Sequence, residues 1–161
     1  MLDIRLATKD DKADVWQIVK AVIAGGDTYV YSPETPKRDM LDYWFSPEKH
    51  TYVAELAGRI VATFCLKANQ PGLGSHIANA AYMVSLDARG KGIGREIAEW
   101  SLDEARRLGF EAMQFNFVVK SNESAVRLWE KIGFKVVGEI PDAFQHSTLG
   151  LTNAYVMFRK L

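Results

Sequence analysis

A glycine-rich segment lies where an apolar strand pattern gives way to a helix pattern. The apolar run covers residues 78–84 and the amphipathic stretch covers residues 93–108. Between them, a glycine backbone can approach a ligand closely and direct several N–H groups at one point. The start of the helix adds the positive end of its dipole, so the segment suits a phosphate or pyrophosphate. The predicted anion-binding residues are Arg89, Gly90, Lys91, Gly92, Ile93, Gly94 and Arg95.

Asparagines interrupt two strand patterns that are otherwise apolar. Asn79 falls in the run before the glycine-rich segment, and Asn116 falls in residues 112–119. Because a buried amide without partners is destabilising, such residues either hold the strand register in the core or contact a substrate in a cleft, and we favour substrate contact. Asn122, at the start of a later helix, either caps that helix or faces a ligand at its mouth, and both roles are compatible.

Other side chains offer chemistry at single positions. Tyr29 and Tyr31 lie in a loop, and they either wall a pocket for a small apolar ring or anchor the loop to the core. His76 and His146 are candidate bases because histidine titrates near neutral pH, although solvated loop histidines are the favoured interpretation. Cys65 lies in an apolar run and is expected to be buried. Three scattered histidines and one cysteine give no metal-site spacing.

The hydrophobic pattern places these residues on a mixed sheet. It predicts strands at 2–6, 51–55, 59–67, 78–84, 112–119, 134–139 and 151–159, and helices after residue 8 and at 37–45, 93–108 and 122–132, with a loop at 140–150. The order β-α-α-β-β-β-α-β-α-β-β implies a parallel strand pair at each of the two strand–helix–strand crossovers. We therefore expect one α/β (α+β mixed sheet) domain over residues 1–161, with about seven strands and about four helices.

The composition is that of an ordinary soluble globular protein. Twenty basic residues balance twenty acidic ones, so the net charge supports neither nucleic-acid binding nor binding to an anionic membrane. A single cysteine rules out an internal disulfide and fits a reducing compartment. The first residues show no signal-peptide pattern, and no apolar run approaches the roughly 20 residues of a membrane span. We expect a cytoplasmic protein.

Two motifs occur with one helix and one strand between them. Residues 89–94 read Arg-Gly-Lys-Gly-Ile-Gly, and residues 122–134 read Asn-Glu-Ser-Ala-Val-Arg-Leu-Trp-Glu-Lys-Ile-Gly-Phe. In this order they resemble the motifs Arg/Gln-x-x-Gly-x-Gly/Ala and Asn-x-x-Ala-x-x-Leu-Tyr-x-x-x-Gly-Phe of the Gcn5-related N-acetyltransferases. The element order extends the resemblance over essentially the whole chain. The resemblance implies an N-acetyltransferase fold and activity, with acetyl-CoA as the co-substrate.

The resemblance also implies roles around an acetyl-CoA site. Met83 and Val84 would hydrogen-bond the pantetheine arm, and a backbone N–H at one of them would stabilise charge on the thioester oxygen. The amides of residues 90–95 would hold the pyrophosphate. Asn122 would contact the cofactor from the start of its helix.

Two departures from the family pattern affect the chemistry. Trp129 stands where most members carry a tyrosine that is the proposed general acid for the leaving thiolate, and an indole cannot serve as that acid. The spacing from Asn116 to Asn122 is one residue longer than in many relatives. The extra residue predicts a β-bulge in the strand, a common feature beside active sites.

Residues 77–80 and the spacing from Asn116 to Asn122 resemble a narrower group. This group comprises the fungal acetyltransferases that act on azetidine-2-carboxylate and proline-like imino acids. The resemblance implies that Asn79 and Asn116 contact the acceptor, and we expect them to hold a water that deprotonates it. Residues 141–146 are also similar, so His146 joins Tyr29 and Tyr31 among the candidate acceptor contacts.

The leading prediction is direct acetyl transfer to a small-molecule amine, with no metal. Two alternatives stay open: acetylation of a protein N-terminus or lysine, and a non-catalytic acetyl-CoA sensor. Homodimers are common in the family, so a homodimer is a further expectation from the resemblance.

Overall fold

The computed structural model of the chain describes all 161 residues as one sheet with helices on both faces. The strands are β1 Asp3–Leu6, β2 His50–Leu56, β3 Arg59–Ala68, β4 Ile77–Val84, β5 Ala112–Val119, β6 Lys135–His146 and β7 Gly150–Lys160. The helices are α1 Lys12–Ala24, α2 Lys37–Trp44, α3 Ile93–Arg107 and α4 Glu123–Lys131. The predicted element order and the mixed α/β class are confirmed.

The sheet contains one parallel strand pair rather than the two predicted. The strand order is β1-β2-β3-β4-β5-β7-β6, and only β4 and β5 pair in parallel. β5 and β6 are not neighbours, because β7 lies between them and pairs antiparallel with both. The prediction failed because a tight turn joins β6 and β7 in a hairpin. In this hairpin β7, not β6, is the strand that pairs with β5.

The segment predicted as a loop at 140–150 is mostly strand. β6 continues to His146 and pairs with β7 up to the His146–Gly150 pair. Its register breaks between Ile140 and Phe144, next to Pro141. A proline is tolerated there because β6 is an edge strand with one pairing partner. The composition of residues 140–150 therefore indicates a loop, although most of the segment is strand in the β6–β7 hairpin.

Two hydrophobic clusters hold the helices against the sheet. One joins α3 and α4 to residues such as Phe64, and the other joins α1 and α2 to the opposite face at Cys65. Burial raises the pKa of Cys65 to about 11. The thiol is therefore buried, as predicted, and protonated at neutral pH, so it is not a nucleophile. No helix has the length and apolarity to cross a membrane.

Candidate active site

The parallel pair comes apart soon after it forms, and this opens a cleft in the sheet. β4 and β5 are paired at Ile77–Ala112 and Ala78–Met113. Both strands then continue without pairing to each other, while β3 and β7 hold their outer edges. The inner edges of β4 and β5 consequently present peptide groups that are not paired to a neighbouring strand.

The ladder between β3 and β4 decides which peptide groups face this cleft. Ser85 N–H donates to Val61 C=O at 2.8 Å, and in an antiparallel ladder the peptide groups of alternate residues face the same side. The N–H and C=O of Met83 therefore point to β3, whereas those of Tyr82 and Val84 face the cleft. The Met83 peptide groups therefore do not face the cleft that their predicted role requires, whereas those of Val84 do, and the role of Val84 stays a prediction.

The glycine-rich segment borders a cavity of about 360 Å³ at the Val84 end of the cleft. Gly90 and Gly92 have φ values of 75° and 80°, in the left-handed region that favours glycine. Gly92 is the N-cap of α3 without a side-chain cap, and the helix's first hydrogen bond runs from Glu96 N–H to Gly92 C=O. The N–H groups of residues 93–95 therefore have no partner in the chain and are available to an anion.

The basic residues of this segment are not equivalent. The predicted anion-site residues that line the cavity are Arg89, Gly90, Gly92, Ile93 and Gly94. Lys91 and Arg95 lie outside it, and Arg95 Nε pairs with Glu99 Oε1 at 2.8 Å. The cavity is therefore formed by backbone groups and Arg89, with the other two cations beside it.

A second cavity, of about 320 Å³, continues the cleft towards the loop between α1 and α2. Its aromatic residues are Tyr29, Tyr31, Tyr43, Trp44, Tyr82, Phe115, Phe117 and Trp129. The Tyr29 and Tyr31 rings stack with centroids 6.5 Å apart. Both line the pocket and also pack against the core beside α1 and α2, so both predicted arrangements are present. The two cavities share six residues: Thr28, Tyr29, Tyr82, Asn122, Ala125 and Trp129. They are therefore adjoining parts of one cleft.

The Tyr29 hydroxyl binds both peptide groups of Tyr82 that face the cleft. It accepts a hydrogen bond from Tyr82 N–H at 3.0 Å and donates one to Tyr82 C=O. Burial raises the pKa of Tyr29 above its ordinary value, so the phenol is protonated at neutral pH. The loop between the first two helices is thereby tied to β4 where the two cavities meet.

Asn79 and Asn116 both line the second cavity, but their environments differ. Asn79 is half-buried, and its Nδ2 donates to Gln114 C=O at 2.9 Å across the opening between β4 and β5. Asn116 is exposed, and its Nδ2 donates to Asn69 Oδ1 at 2.7 Å. β5 changes register with β7 around Asn116, which confirms the predicted bulge. The expectation of a buried Asn116 amide is wrong.

Asn122 lies immediately before α4, where the two cavities meet. Its side chain makes no capping hydrogen bond to the helix, and its Oδ1 accepts one from Ser124 Oγ at 3.3 Å. The capping role is therefore not seen, and the amide remains available to a ligand.

His146 lines neither cavity. Its Nδ1 accepts hydrogen bonds from the N–H groups of Thr148 and Leu149 at 3.1 and 3.2 Å. These bonds stabilise the turn between β6 and β7, so the structure gives His146 a structural role in place of the predicted acceptor contact. His76 also lies outside both cavities.

Comparison with known proteins identifies the family. Residues 18–134 match the acetyltransferase (GNAT) family. The chain belongs to the GNAT family. The match confirms the family predicted from the two motifs, and with it an N-acetyltransferase class that uses acetyl-CoA.

Individual relatives agree with this assignment. N-acetyltransferase aca1 of the fission yeast Schizosaccharomyces pombe is 39% identical over 98 residues, which are 61% of this chain and 47% of that protein. A solved GCN5-related N-acetyltransferase from Kribbella flavida is 38% identical, with a TM-score of 0.94 over 99% of this chain and 98% of that one. The acetyltransferase yncA from Salmonella typhimurium, solved with acetyl-CoA, shares the fold at 21% identity, with a TM-score of 0.86 over 100% of this chain and 94% of that one. The chain spans half or less of the curated relatives' length.

This GNAT site has no carboxylate or imidazole to act as acid or base. Neither cavity is lined by a carboxylate or an imidazole. Trp129, at the position of the family's tyrosine, is buried and packs against Tyr82 at 5.1 Å and Phe115 at 4.6 Å between ring centroids. The indole is therefore part of the wall, and the side chains around it can align ligands and donate hydrogen bonds. No cluster of His, Cys, Asp and Glu is arranged to hold a metal ion.

Sequence reasoning missed three residues of this GNAT cleft. Tyr82 contributes its peptide groups, which only the ladder with β3 reveals. Thr28 Oγ1 is buried where the cavities meet and has no hydrogen-bond partner in the chain. Lys67 lines the second cavity, and its place depends on how β3 and β4 align across the loop at 69–76. The pattern of apolar residues does not specify that alignment, so no sequence signal identified Lys67.

Proposed function

We propose that this GNAT domain transfers the acetyl group of acetyl-CoA directly to the amine of a small molecule, with amino and imino acid-like acceptors as the leading class. The observation that carries the proposal is the meeting of two cavities at the Tyr82 peptide. One cavity has the unpaired N–H groups of a helix start, and the other has an aromatic wall. The volume of the second, about 320 Å³, lies at the lower end of small-ligand pockets and suits a compact acceptor.

The residues of the first cavity fit acetyl-CoA. The N–H groups of residues 93–95 and the Arg89 guanidinium suit the pyrophosphate, because both favour negative charge. The Val84 peptide faces the cleft and suits the amides of the pantetheine arm. Asn122 offers an amide between the two cavities. When bound, acetyl-CoA supplies a thioester whose carbonyl carbon is open to attack by an amine.

The chain's contribution to the reaction is alignment and charge stabilisation. Tyr82 N–H faces the cleft and would donate to the carbonyl oxygen, on which negative charge develops, in exchange for its bond to the Tyr29 hydroxyl. Asn79 and Asn116 hold the acceptor, or a water that removes its proton, so both reactants are bound at once. Since Trp129 offers no acid, the sulfur leaves as a thiolate, which a thiol pKa of about 8.5 permits near neutral pH.

Release of free thiol from acetyl-CoA across an amine panel tests the proposal. The panel contains proline, azetidine-2-carboxylate, other amino acids, polyamines, aminoglycosides and short peptides, and a reaction without acceptor measures hydrolysis. We expect acceptor-dependent release with small amino or imino acids. Release with peptides alone would instead indicate protein acetylation, and tight acetyl-CoA binding without release would indicate a sensor.

A further inference from the structure

The acceptor cavity contains one charged side chain. Nineteen residues line it, and among them only Lys67 carries a formal charge. Lys67 is half-buried, and no carboxylate lies within ion-pair distance of its Nζ, although the chain has nine other ion-pair contacts. A partly desolvated ammonium without an intramolecular partner favours an anion from outside the chain.

The positive potential at this place has further support. Lys49 is near enough to Lys67 that the Lys67 charge adds to the burial that lowers the pKa of Lys49. Lys49 Nζ lies 3.0 Å from the centroid of the Tyr43 ring, and Tyr43 lines the cavity. The charge of Lys67 also contributes to lowering the pKa of Glu48, but Glu48 is exposed and does not line the cavity. Lys67 and the nearby Lys49 therefore bring positive charge to this side of the acceptor pocket, and no carboxylate lines its wall.

Lys67 lies beside the polar group that we expect to meet the acceptor amine. It is directly opposite Asn79 in the ladder between β3 and β4, so the two side chains share one face of the sheet. Asn79 Nδ2 is occupied by Gln114 C=O, which leaves Asn79 Oδ1 to accept from an amine. A cation and an amide oxygen on neighbouring strands match a molecule that carries a carboxylate and an amine on the same carbon, as amino and imino acids do.

We infer that Lys67 binds the carboxylate of the acceptor, so that this enzyme selects small amines bearing an anionic group and excludes cationic amines. The inference rests on the proposed function and adds to it the residue that sets the charge preference. Polyamines and aminoglycosides would bring further positive charge into a cavity with no carboxylate, which is unfavourable. A carboxylate would instead form a charge-assisted hydrogen bond with Nζ.

A pair of acceptors that differ in charge tests Lys67. Proline and prolinamide have the same ring and the same kind of reacting nitrogen, but only proline has a carboxylate. In Lys67→Met we expect the KM for proline to rise by about 10- to 100-fold with little change in kcat, because a hydrogen bond to a charged group is lost. The KM for prolinamide should not rise and is expected to fall, because prolinamide has no carboxylate to lose and, as a cation, it is repelled by Lys67 in the wild type. Lys67→Arg should restore most of the preference, and the exposed Lys135→Met, on the distant edge strand, serves as the control.

Calorimetric titration separates this inference from the proposed function. Proline and prolinamide are titrated into the CoA-saturated wild-type protein and Lys67→Met, after melting curves show that both are folded. Preferential binding of proline that depends on Lys67, without any acetyl transfer, would support the carboxylate site and overturn the transferase. Equal turnover of the two acceptors, unaffected by Lys67→Met, would overturn the carboxylate site and keep the transferase. Failure of proline to bind would overturn the carboxylate site, and absence of turnover across the whole amine panel would overturn the transferase.

Discussion

The two halves of the cleft are built from different parts of the chain. The polar groups of the half that we propose for acetyl-CoA are mainly backbone groups: the unpaired N–H groups of residues 93–95, those of the left-handed glycines before them and the Val84 peptide. The acceptor half consists of side chains from the loop between α1 and α2, from β3, from β4 and from β5. Backbone groups bind a constant ligand, whereas side chains can be exchanged without changing the fold. We therefore expect substitutions in the first half to weaken acetyl-CoA binding and substitutions in the second half to change the kinetics with the acceptor.

The largest effect is expected for a glycine of the first half. Gly92→Ala places a side chain at a φ of 80°, which costs about 1–2 kcal/mol or forces the loop to rearrange. Because the N–H groups that follow Gly92 are the proposed pyrophosphate ligands, we expect acetyl-CoA affinity to fall by about 10- to 100-fold. Calorimetric titration with acetyl-CoA measures this.

Gly58→Ala is the matched control for Gly92→Ala. Gly58 has a φ of 76°, and at both glycines an added β-carbon would meet no atom within 4 Å. The backbone penalty should therefore be similar, but Gly58 lies in the turn between β2 and β3, away from both cavities. If the two variants bound acetyl-CoA equally well, the loop amides would not be the binding groups.

The next effect is the pH dependence of the reaction. Neither cavity has a carboxylate or imidazole, and burial raises the pKa values of Tyr29 and Tyr82, so these phenols stay protonated through the neutral range. The protonation state of the acceptor amine should then set the rate. We expect kcat/KM to increase about tenfold per pH unit up to the pKa of the amine. With acceptors of different amine pKa, the pH profile of kcat/KM should shift by the difference between their pKa values. A profile that does not shift would reveal an unrecognised base in the enzyme.

The two asparagines should differ in the size of their effect. Asn79 is half-buried and bridges β4 to β5, whereas Asn116 is exposed on the bulge. We expect Asn79→Ala to lower kcat/KM by about tenfold or more, and Asn116→Ala by a smaller factor, because a lost hydrogen bond counts most where water is excluded. Steady-state kinetics with one acceptor compares them. Unchanged turnover in both variants would remove the asparagines from the mechanism.

The same division explains what the sequence could predict. The first half is encoded by contiguous motifs, so its glycines and Asn122 could be predicted from the sequence through their resemblance to the family motifs. The second half depends on which strands neighbour each other and in what register. The proposed roles of Lys67 and the Tyr82 peptide depend on the β3–β4 ladder. The position of β7 beside β5 follows from the β6–β7 hairpin, whose sequence resembles a loop because it contains Pro141. Such long-range pairings leave no local pattern.

The smallest predicted effect lies where the two halves meet. In Tyr29→Phe the Tyr82 N–H and C=O lose the hydroxyl that pairs with them. The free protein should lose about 0.5–1.5 kcal/mol, which lowers Tm by a few degrees. Acetyl-CoA would itself pair with Tyr82 N–H, so in wild type it must displace the hydroxyl, and in the variant it need not. We therefore expect acetyl-CoA to raise Tm by more in Tyr29→Phe than in wild type.

Thermal melts with and without acetyl-CoA measure this difference. Tyr31→Phe is the control, since Tyr31 belongs to the same aromatic wall but its hydroxyl makes no bond to Tyr82. Its increase in Tm with acetyl-CoA should equal that of wild type. Equal increases in all three proteins would mean that Tyr29 keeps its bonds when acetyl-CoA is bound. The donor to the thioester oxygen would then be a group other than Tyr82 N–H, and the loop that carries Tyr29 would stay fixed on β4 while the acceptor half fills.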